Sequence, residues 1–493
     1  MPYGDGGLLI GDVFRNAARA VPARVAAAMG DTTLTFAEID DGSNRVGRAV
    51  RALGVRHGDR VVVWATTSLD TIPLFAALAK TGAVFAPMNP SLSVDEALVT
   101  AGAARPALLV TDDERRGAST KVAAGLGVRS VTLAELAEAA AGEDGADLLA
   151  GELGERDPHV VFFTSGSTGM PKGVVLSHRV NYLRTHPGAL IQPRGAMVCP
   201  FPLFHMAGWT MALQQWHGRD RIVFLESADA VSICDAVEWH RATRLYGIPA
   251  VWRRVLDHLD SPEGAGRDLS TLRFADTGTS ATPPELLLAL ERAFPAATIR
   301  VFYGSTEAGG VATLEHADVH RKPGSCGVPA LATETRIDEA GELWARGPLL
   351  FDGYFDDPEA TAEVLVDGWY RTGDLAVADD DGYLTIVGRA RDVIRTGGEG
   401  VAPAEVEEVL ATHPAVADVA VIGLPDPEWG EVVCAVVVPA DDGAGPTLPE
   451  LRAHCEGRLV SPKHPRRLEV VDVIPRTSPT NQVQRRLLVE RFS

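Results

Sequence analysis

Two apolar runs, Val160-Val161-Phe162-Phe163 and Val174-Val175-Leu176, flank the stretch Thr164-Ser165-Gly166-Ser167-Thr168-Gly169-Met170-Pro171-Lys172-Gly173. The flanks read as buried strands. The ten residues between them hold three glycines, four hydroxyl side chains and a single cation. Glycine lets backbone N–H groups approach an anion closely, and serine and threonine hydroxyls add donors. Lys172 supplies a compact positive charge. A loop of this kind suits an oligophosphate, so the chain is expected to handle a nucleotide. A plain polar hairpin loop is the competing reading. The familiar nucleotide loops do not fit. No Gly-Lys-Ser/Thr ending follows Gly169, a strand rather than a helix comes next, and the glycine spacing is wrong for a dinucleotide fold.

At 493 residues the chain exceeds one ordinary core and is expected to divide into domains. Strand and helix patterns alternate over residues 9–150. Arg60–Trp64, Ala83–Pro87 and Ala107–Thr111 read as strands, Val13–Val21 and Leu69–Gly82 as helices, and Ala139–Ala146 as a surface loop. This alternation implies layered α/β structure with parallel pairing. It continues to about residue 310. Residues 324–390 carry short strands between Gly, Asp and Pro turns, which predicts a small β-rich subdomain. Helices at Pro403–His413 and Leu448–Leu459, with strands at Val416–Gly423, Glu431–Pro439 and Arg467–Val473, predict a compact α+β unit at the C-terminus. The expected domains are therefore 1–390 and 391–493.

The net charge of −20 argues against nonspecific nucleic-acid binding. No apolar run approaches the roughly 18 residues of a membrane span, and the N-terminus lacks a signal-like stretch, so a cytoplasmic protein without a membrane partner is expected. The five cysteines are scattered, which supports neither a disulfide framework nor a zinc site.

The Thr164–Gly173 stretch resembles the phosphate-binding loop of the adenylate-forming superfamily, which comprises acyl-CoA synthetases, adenylation domains and luciferases. Further motifs extend the resemblance from about Leu9 to Leu488. Tyr303-Gly304-Ser305-Thr306-Glu307 resembles the segment that stacks adenine and binds Mg²⁺. The resemblance therefore implies adenine stacking by Tyr303, metal binding by Glu307, and a place for Thr306 among the catalytic groups. A carboxylate beside phosphate oxygens is a reasonable Mg²⁺ ligand. Trp369-Tyr370-Arg371-Thr372-Gly373-Asp374-Leu375 resembles the ribose-binding segment, with Asp374 as acceptor for the ribose hydroxyls. Gly388-Arg389-Ala390-Arg391-Asp392 resembles the family hinge. Arg389 is implied to contact ribose or phosphate, and Asp392 to be the pivot of a mobile C-terminal domain. Gly397–Glu407 resembles the loop near the thiol acceptor's channel, with Gly400 where asparagine is usual.

Pro202-Leu203-Phe204-His205-Met206-Ala207-Gly208 resembles the acyl end of the substrate pocket, which implicates His205. The Phe-Asp pair of amino-acid-activating relatives is absent, arguing against an α-amino acid substrate. Gly278, Thr279 and Ser280 occupy a loop usually richer in Gly and Ala. Their hydroxyls favour a short or polar-substituted acid. The clearest departure is C-terminal. Between Ile474-Pro475-Arg476-Thr477 and Val483-Gln484-Arg485-Arg486-Leu487 the family usually carries Gly-Lys, and Gln482 aligns with the lysine. Arg476, Arg485 and Arg486 are the candidates to replace its charge.

The resemblance implies an ATP- and Mg²⁺-dependent ligase. It would activate a small-molecule carboxylic acid, aromatic or small, as an acyl adenylate and pass it to coenzyme A, acting as a monomer or homodimer. Two alternatives remain at this level. One is a diazotase that activates nitrite for an aryl amine. The other is a nucleotide-binding homologue without catalysis.

Overall fold

The computed structural model describes residues 7–148, 151, 153–165, 171–396, 399–440, 445–477 and 481–493. Gly166, Ser167, Thr168, Gly169 and Met170 of the phosphate loop lie outside the described residues, as do Gly397 and Gly398. The chain divides into two compact units. The first comprises Met1–Arg321, Ala330–Glu334 and Arg346–Tyr370, and the second Lys322–Pro329, Thr335–Ala345 and Arg371–Ser493.

Two sheets organise the first unit. In one, the strands run in the order Gly353–Tyr354, Pro171–Ser177, Pro158–Ser165, Val84–Pro87, Arg60–Trp64, Pro106–Thr111 and Arg129–Thr132. The last five of these pair in parallel, with helices between them in sequence. Val62, Trp64, Ala86, Leu109 and Val161 fill its core against helix Val94–Ala104. The other sheet places Thr298–Ser305 beside Phe274–Gly278, then Arg244–Gly247, Met197–Cys199, Ile222–Phe224 and Val25–Met29, all in parallel. Both faces of such sheets are covered, which is why their strands read as apolar runs.

Four helices start at Ser/Thr-x-x-Glu patterns. Thr35/Glu38, Ser93/Glu96, Thr132/Glu135 and Thr447/Glu450 each form a reciprocal capping box.

In the second unit, Val416–Asp426 and Gly430–Pro439 form a long antiparallel pair. Alternate residues bury on opposite faces. Val419, Val421, Val433 and Ala435 pack with Val406, Leu410 and Leu451, whereas Ala420, Ile422, Cys434 and Val436 pack with Leu488 of the C-terminal helix. Trp369–Ala378 pairs with Leu384–Arg389, giving the expected short-stranded β region.

Several sequence boundaries needed correction. The helix expected over Pro403–His413 ends at Leu410, that over Leu448–Leu459 ends at Cys455, and the strand expected to Val473 ends at Val470. The loop expected over Ala139–Ala146 begins later, because helix Leu133–Ala141 keeps its small, helix-favouring alanines. All five cysteines are free and buried. Among the described residues no helix is long and apolar enough to cross a membrane.

Candidate active site

Lys172 belongs to a strand rather than to the loop itself. Thr164 faces Lys172 across the ladder, and the Thr164 hydroxyl donates to the Lys172 carbonyl at 3.4 Å. Tyr354 lies on the next strand, opposite Val174. This close approach requires Gly173, where a Cβ would stand 2.8 Å from Val161 Cγ1. The Lys172 ammonium lies 4.9 Å from the centre of the Tyr354 ring. Among the described residues it has no carboxylate within ion-pair distance.

The Tyr354 hydroxyl donates to Glu307 Oε1 at 3.2 Å. It also hydrogen-bonds Tyr370. Burial, and then the Glu307 carboxylate, hold its phenol well above the ordinary value, so it stays a donor. Glu307 follows the strand Thr298–Ser305, within which Tyr303, Gly304 and Ser305 lie. The Ser305 hydroxyl accepts from the Ala308 N–H at 3.0 Å.

Arg184, on helix His178–Thr185, fixes the Thr306-Glu307 turn. Its guanidinium donates to the carbonyls of Thr306 (2.9 Å), Glu307 (2.9 Å) and Leu349 (2.8 and 2.6 Å). Burial lowers its pKa to about 10, which leaves it charged at neutral pH.

Gly278 has φ 156° and no room for a side chain, since a Cβ would meet the Phe302 carbonyl at 2.2 Å and the Tyr246 hydroxyl at 2.5 Å. Thr279 follows at φ 72°, a left-handed conformation that strains a β-branched residue. Its hydroxyl hydrogen-bonds Tyr246. Ser280 beside it is exposed. A run of rings lines this region. His205 stacks on Phe201 at 6.0 Å, Phe201 meets Tyr246 at 5.7 Å, and Tyr246 meets Phe302 at 6.0 Å. His205 Nδ1 accepts from the Ala207 N–H at 3.2 Å, capping helix Met206–His217. Its Nε2 therefore carries the proton. Burial lowers its pKa to about 4, so it is neutral.

The motif cations of the second unit are paired. Asp374 and Arg389 face each other across adjacent strands, with Oδ1 and Nε 2.7 Å apart. Asp392, expected to be a pivot, accepts from Arg485 at 3.3 Å, and Arg485 also binds Glu407 at 2.6 Å and the Val421 carbonyl at 3.2 Å. Arg476 pairs with Asp418 at 2.7 Å. Exposed Arg486 lies 3.4 Å from Glu490. Gln482 is exposed, and the Thr477 N–H donates to its carbonyl at 2.8 Å. Asn481 before it has φ 55°, the conformation a glycine would adopt there. Arg476 and Arg485, two of the three candidates to replace the lysine's charge, are thus already committed.

Sequence reasoning missed Arg184, Tyr354 and Tyr246. Arg184 left no trace, because its helix also carries His178, Arg179, Asn181 and Thr185. Tyr354 and Tyr246 have long-range partners that no local spacing reveals.

Among the described residues no three His, Cys, Asp or Glu side chains gather to hold a metal. A lone Glu307 still fits Mg²⁺, which commonly takes one or two carboxylates and completes its shell with substrate phosphates and water.

Comparison with known proteins follows the same division. Residues 14–355 match the family model for AMP-binding enzymes, and residues 405–480 the model for the AMP-binding enzyme C-terminal domain. The chain is 38% identical over 482 residues to a feruloyl-CoA synthase from Amycolatopsis, covering 93% of this chain and 94% of that one. It is 32% identical over 492 residues to an indoleacetate–CoA ligase from Aromatoleum aromaticum, covering 93% of each. The solved structure of ATP-bound MatB from Rhodopseudomonas palustris superposes with a TM-score of 0.88 at 28% identity, covering 98% of this chain and 99% of that one.

Proposed function

We propose a specific chemistry for this chain, which belongs to the AMP-binding enzyme family: a carboxylate oxygen attacks the α-phosphorus of ATP, pyrophosphate leaves, and coenzyme A then displaces AMP from the acyl adenylate. The carrying observation is the meeting of Lys172 and Glu307 at Tyr354. It brings a cation without a carboxylate partner to the face of one ring and a metal-competent carboxylate to that ring's hydroxyl. Catalysis here is positioning plus charge stabilisation.

Each residue then has a stated role. Lys172 and the hydroxyls of Thr164, Ser165, Ser167 and Thr168 hold phosphate oxygens, with Gly166 and Gly169 giving backbone access. Glu307 holds Mg²⁺, which supplies charge neutralisation on the phosphates. Tyr303 stacks on adenine beside Gly304 and Ser305. Asp374 accepts from the ribose hydroxyls, and Arg389 contacts ribose or phosphate once it shares Asp374. Gly278, Thr279 and Ser280 border the acid. His205, neutral and protonated at Nε2, serves as a donor rather than a cation. The aromatic wall from His205 to Phe302 and the feruloyl- and indoleacetate-activating relatives support an aromatic acid.

A second reading rests on Gln482 and the committed Arg476 and Arg485. With those two cations paired, the group activated in this reading is nitrite, delivered to an aryl amine. One assay separates the readings: pyrophosphate and AMP release with aryl carboxylic acids, with and without coenzyme A, and with nitrite plus aryl amines. Acid- and coenzyme-A-dependent turnover supports the ligase reading. Turnover only with nitrite sinks it, and ATP binding without release under any condition supports a non-catalytic homologue.

A further inference from the structure

Three separate sequence motifs converge on a residue that none of them contains. Lys172, from the phosphate-loop hairpin, lies over the face of the Tyr354 ring at 4.9 Å. Glu307, from the metal segment, accepts the Tyr354 O–H at 3.2 Å. Tyr370, from the segment that leads to the ribose-binding aspartate, hydrogen-bonds the same hydroxyl. Phe351 braces the group, 5.0 Å from Tyr354 and 5.6 Å from Tyr370. The backbone is equally fixed. The Phe351 N–H donates to the Glu307 carbonyl at 2.7 Å, the Phe355 N–H donates to the Gly173 carbonyl at 2.7 Å, and Arg184 binds the Thr306 and Glu307 carbonyls.

We infer that Tyr354 is a positioning residue that couples the phosphate-binding lysine to the metal-binding glutamate, setting the direction of the Glu307 carboxylate through its hydroxyl and the height of the Lys172 ammonium through its ring. The inference rests on the proposed roles of Lys172 and Glu307. It differs from a packing role because the two halves of one side chain control two different ligand terms. The hydroxyl acts on the metal term and the ring on the phosphate charge. A hydrogen bond to a carboxylate and a cation–π contact are separable by substitution.

The test is calorimetric titration of the full-length protein with ATP in excess Mg²⁺ and, separately, in a chelator. The ratio of the two affinities is the metal advantage. Y354F keeps the ring and removes the hydroxyl. Its metal advantage is expected to fall about tenfold, the scale of one hydrogen bond to a charged group, while metal-free ATP affinity stays within about twofold. Y354L removes both, so metal-free affinity is also expected to drop, by about threefold, the scale of an exposed cation–π contact. Y370F, which leaves Tyr354 intact, is expected to lower the metal advantage in the same direction by a smaller factor. In an E307Q background Y354F should change nothing further.

Thermal melts accompany each titration. An unfolded Y354F shifts the decision to Y370F. A metal advantage unchanged in the folded variants overturns the inference alone. A wild-type protein that binds no ATP, or binds it equally with and without Mg²⁺, overturns the proposed roles of Lys172 and Glu307 together with it.

Discussion

Positive charge is handled in opposite ways by the candidate-site cations of the two units. In the first, Lys172 meets a ring and Arg184 meets only backbone carbonyls, so neither has a carboxylate within ion-pair distance among the described residues. In the second, Arg389, Arg476 and Arg485 each bind an aspartate or glutamate. A cation already satisfied by a carboxylate must give up or share that partner before it can take a phosphate, whereas a cation over an aromatic face gives up little. In the proposed chemistry, the capacity to receive the triphosphate's charge resides in the first unit. The second contributes paired groups that orient rather than neutralise.

Removing the uncommitted cation is the strongest way to break this contrast. K172A is expected to lower acid-dependent pyrophosphate exchange by ~10²–10³, the scale of a lost preorganised donor, with an unchanged melting temperature. Arg184 comes next. R184M leaves the buried Thr306, Glu307 and Leu349 carbonyls without their donor, and is expected to cost about 3 kcal/mol in denaturant unfolding. R476A, at a partly exposed pair, is expected to cost under ~1 kcal/mol in the same experiment. Equal losses from the two arginines would remove the distinction drawn here.

Acid gives a third test. Burial lowers His178 to about 3 and His205 to about 4, from an ordinary 6.5. Between those values the unfolded chain binds protons that the folded first unit does not, so stability falls as pH drops below 6.5. The expected loss is about 1 kcal/mol per histidine over the first pH unit, measured as the denaturation midpoint against pH. A stability constant from pH 6.5 to 5 would contradict the buried, neutral state of both rings.

Much of this was legible in the chain because it is local. Arg60–Trp64 is a strand with the predicted bounds, as the run of valines that both sheet faces demand. Lys172, Glu307 and Asp374 stand in contiguous motifs, and the roles expected of them came from the resemblance of those motifs. Tyr354 was not legible, because its partners lie 182, 47 and 16 positions away and only sheet pairing brings them together. The pairing of Arg476 with Asp418, 58 positions away, was hidden for the same reason. From sequence alone, Arg476 looked as free to replace a lysine as Arg486.

The mildest perturbation sharpens the comparison in the other direction. Q482K places a cation in the second unit at the position aligned with the family lysine. Exchange with a carboxylic acid is expected to rise about tenfold, below the full value of a preorganised donor because position 482 is exposed. No gain would mean that the missing charge does not limit the acid-activating step.

The central claim is cleavage of ATP at the α-phosphorus in the presence of an acid. Exchange of labelled pyrophosphate into ATP by the wild-type protein tests it most directly. The account predicts label in ATP that depends on an aromatic carboxylic acid, with AMP as the nucleotide product. Release of ADP and phosphate, or exchange indifferent to every acid supplied, would contradict it.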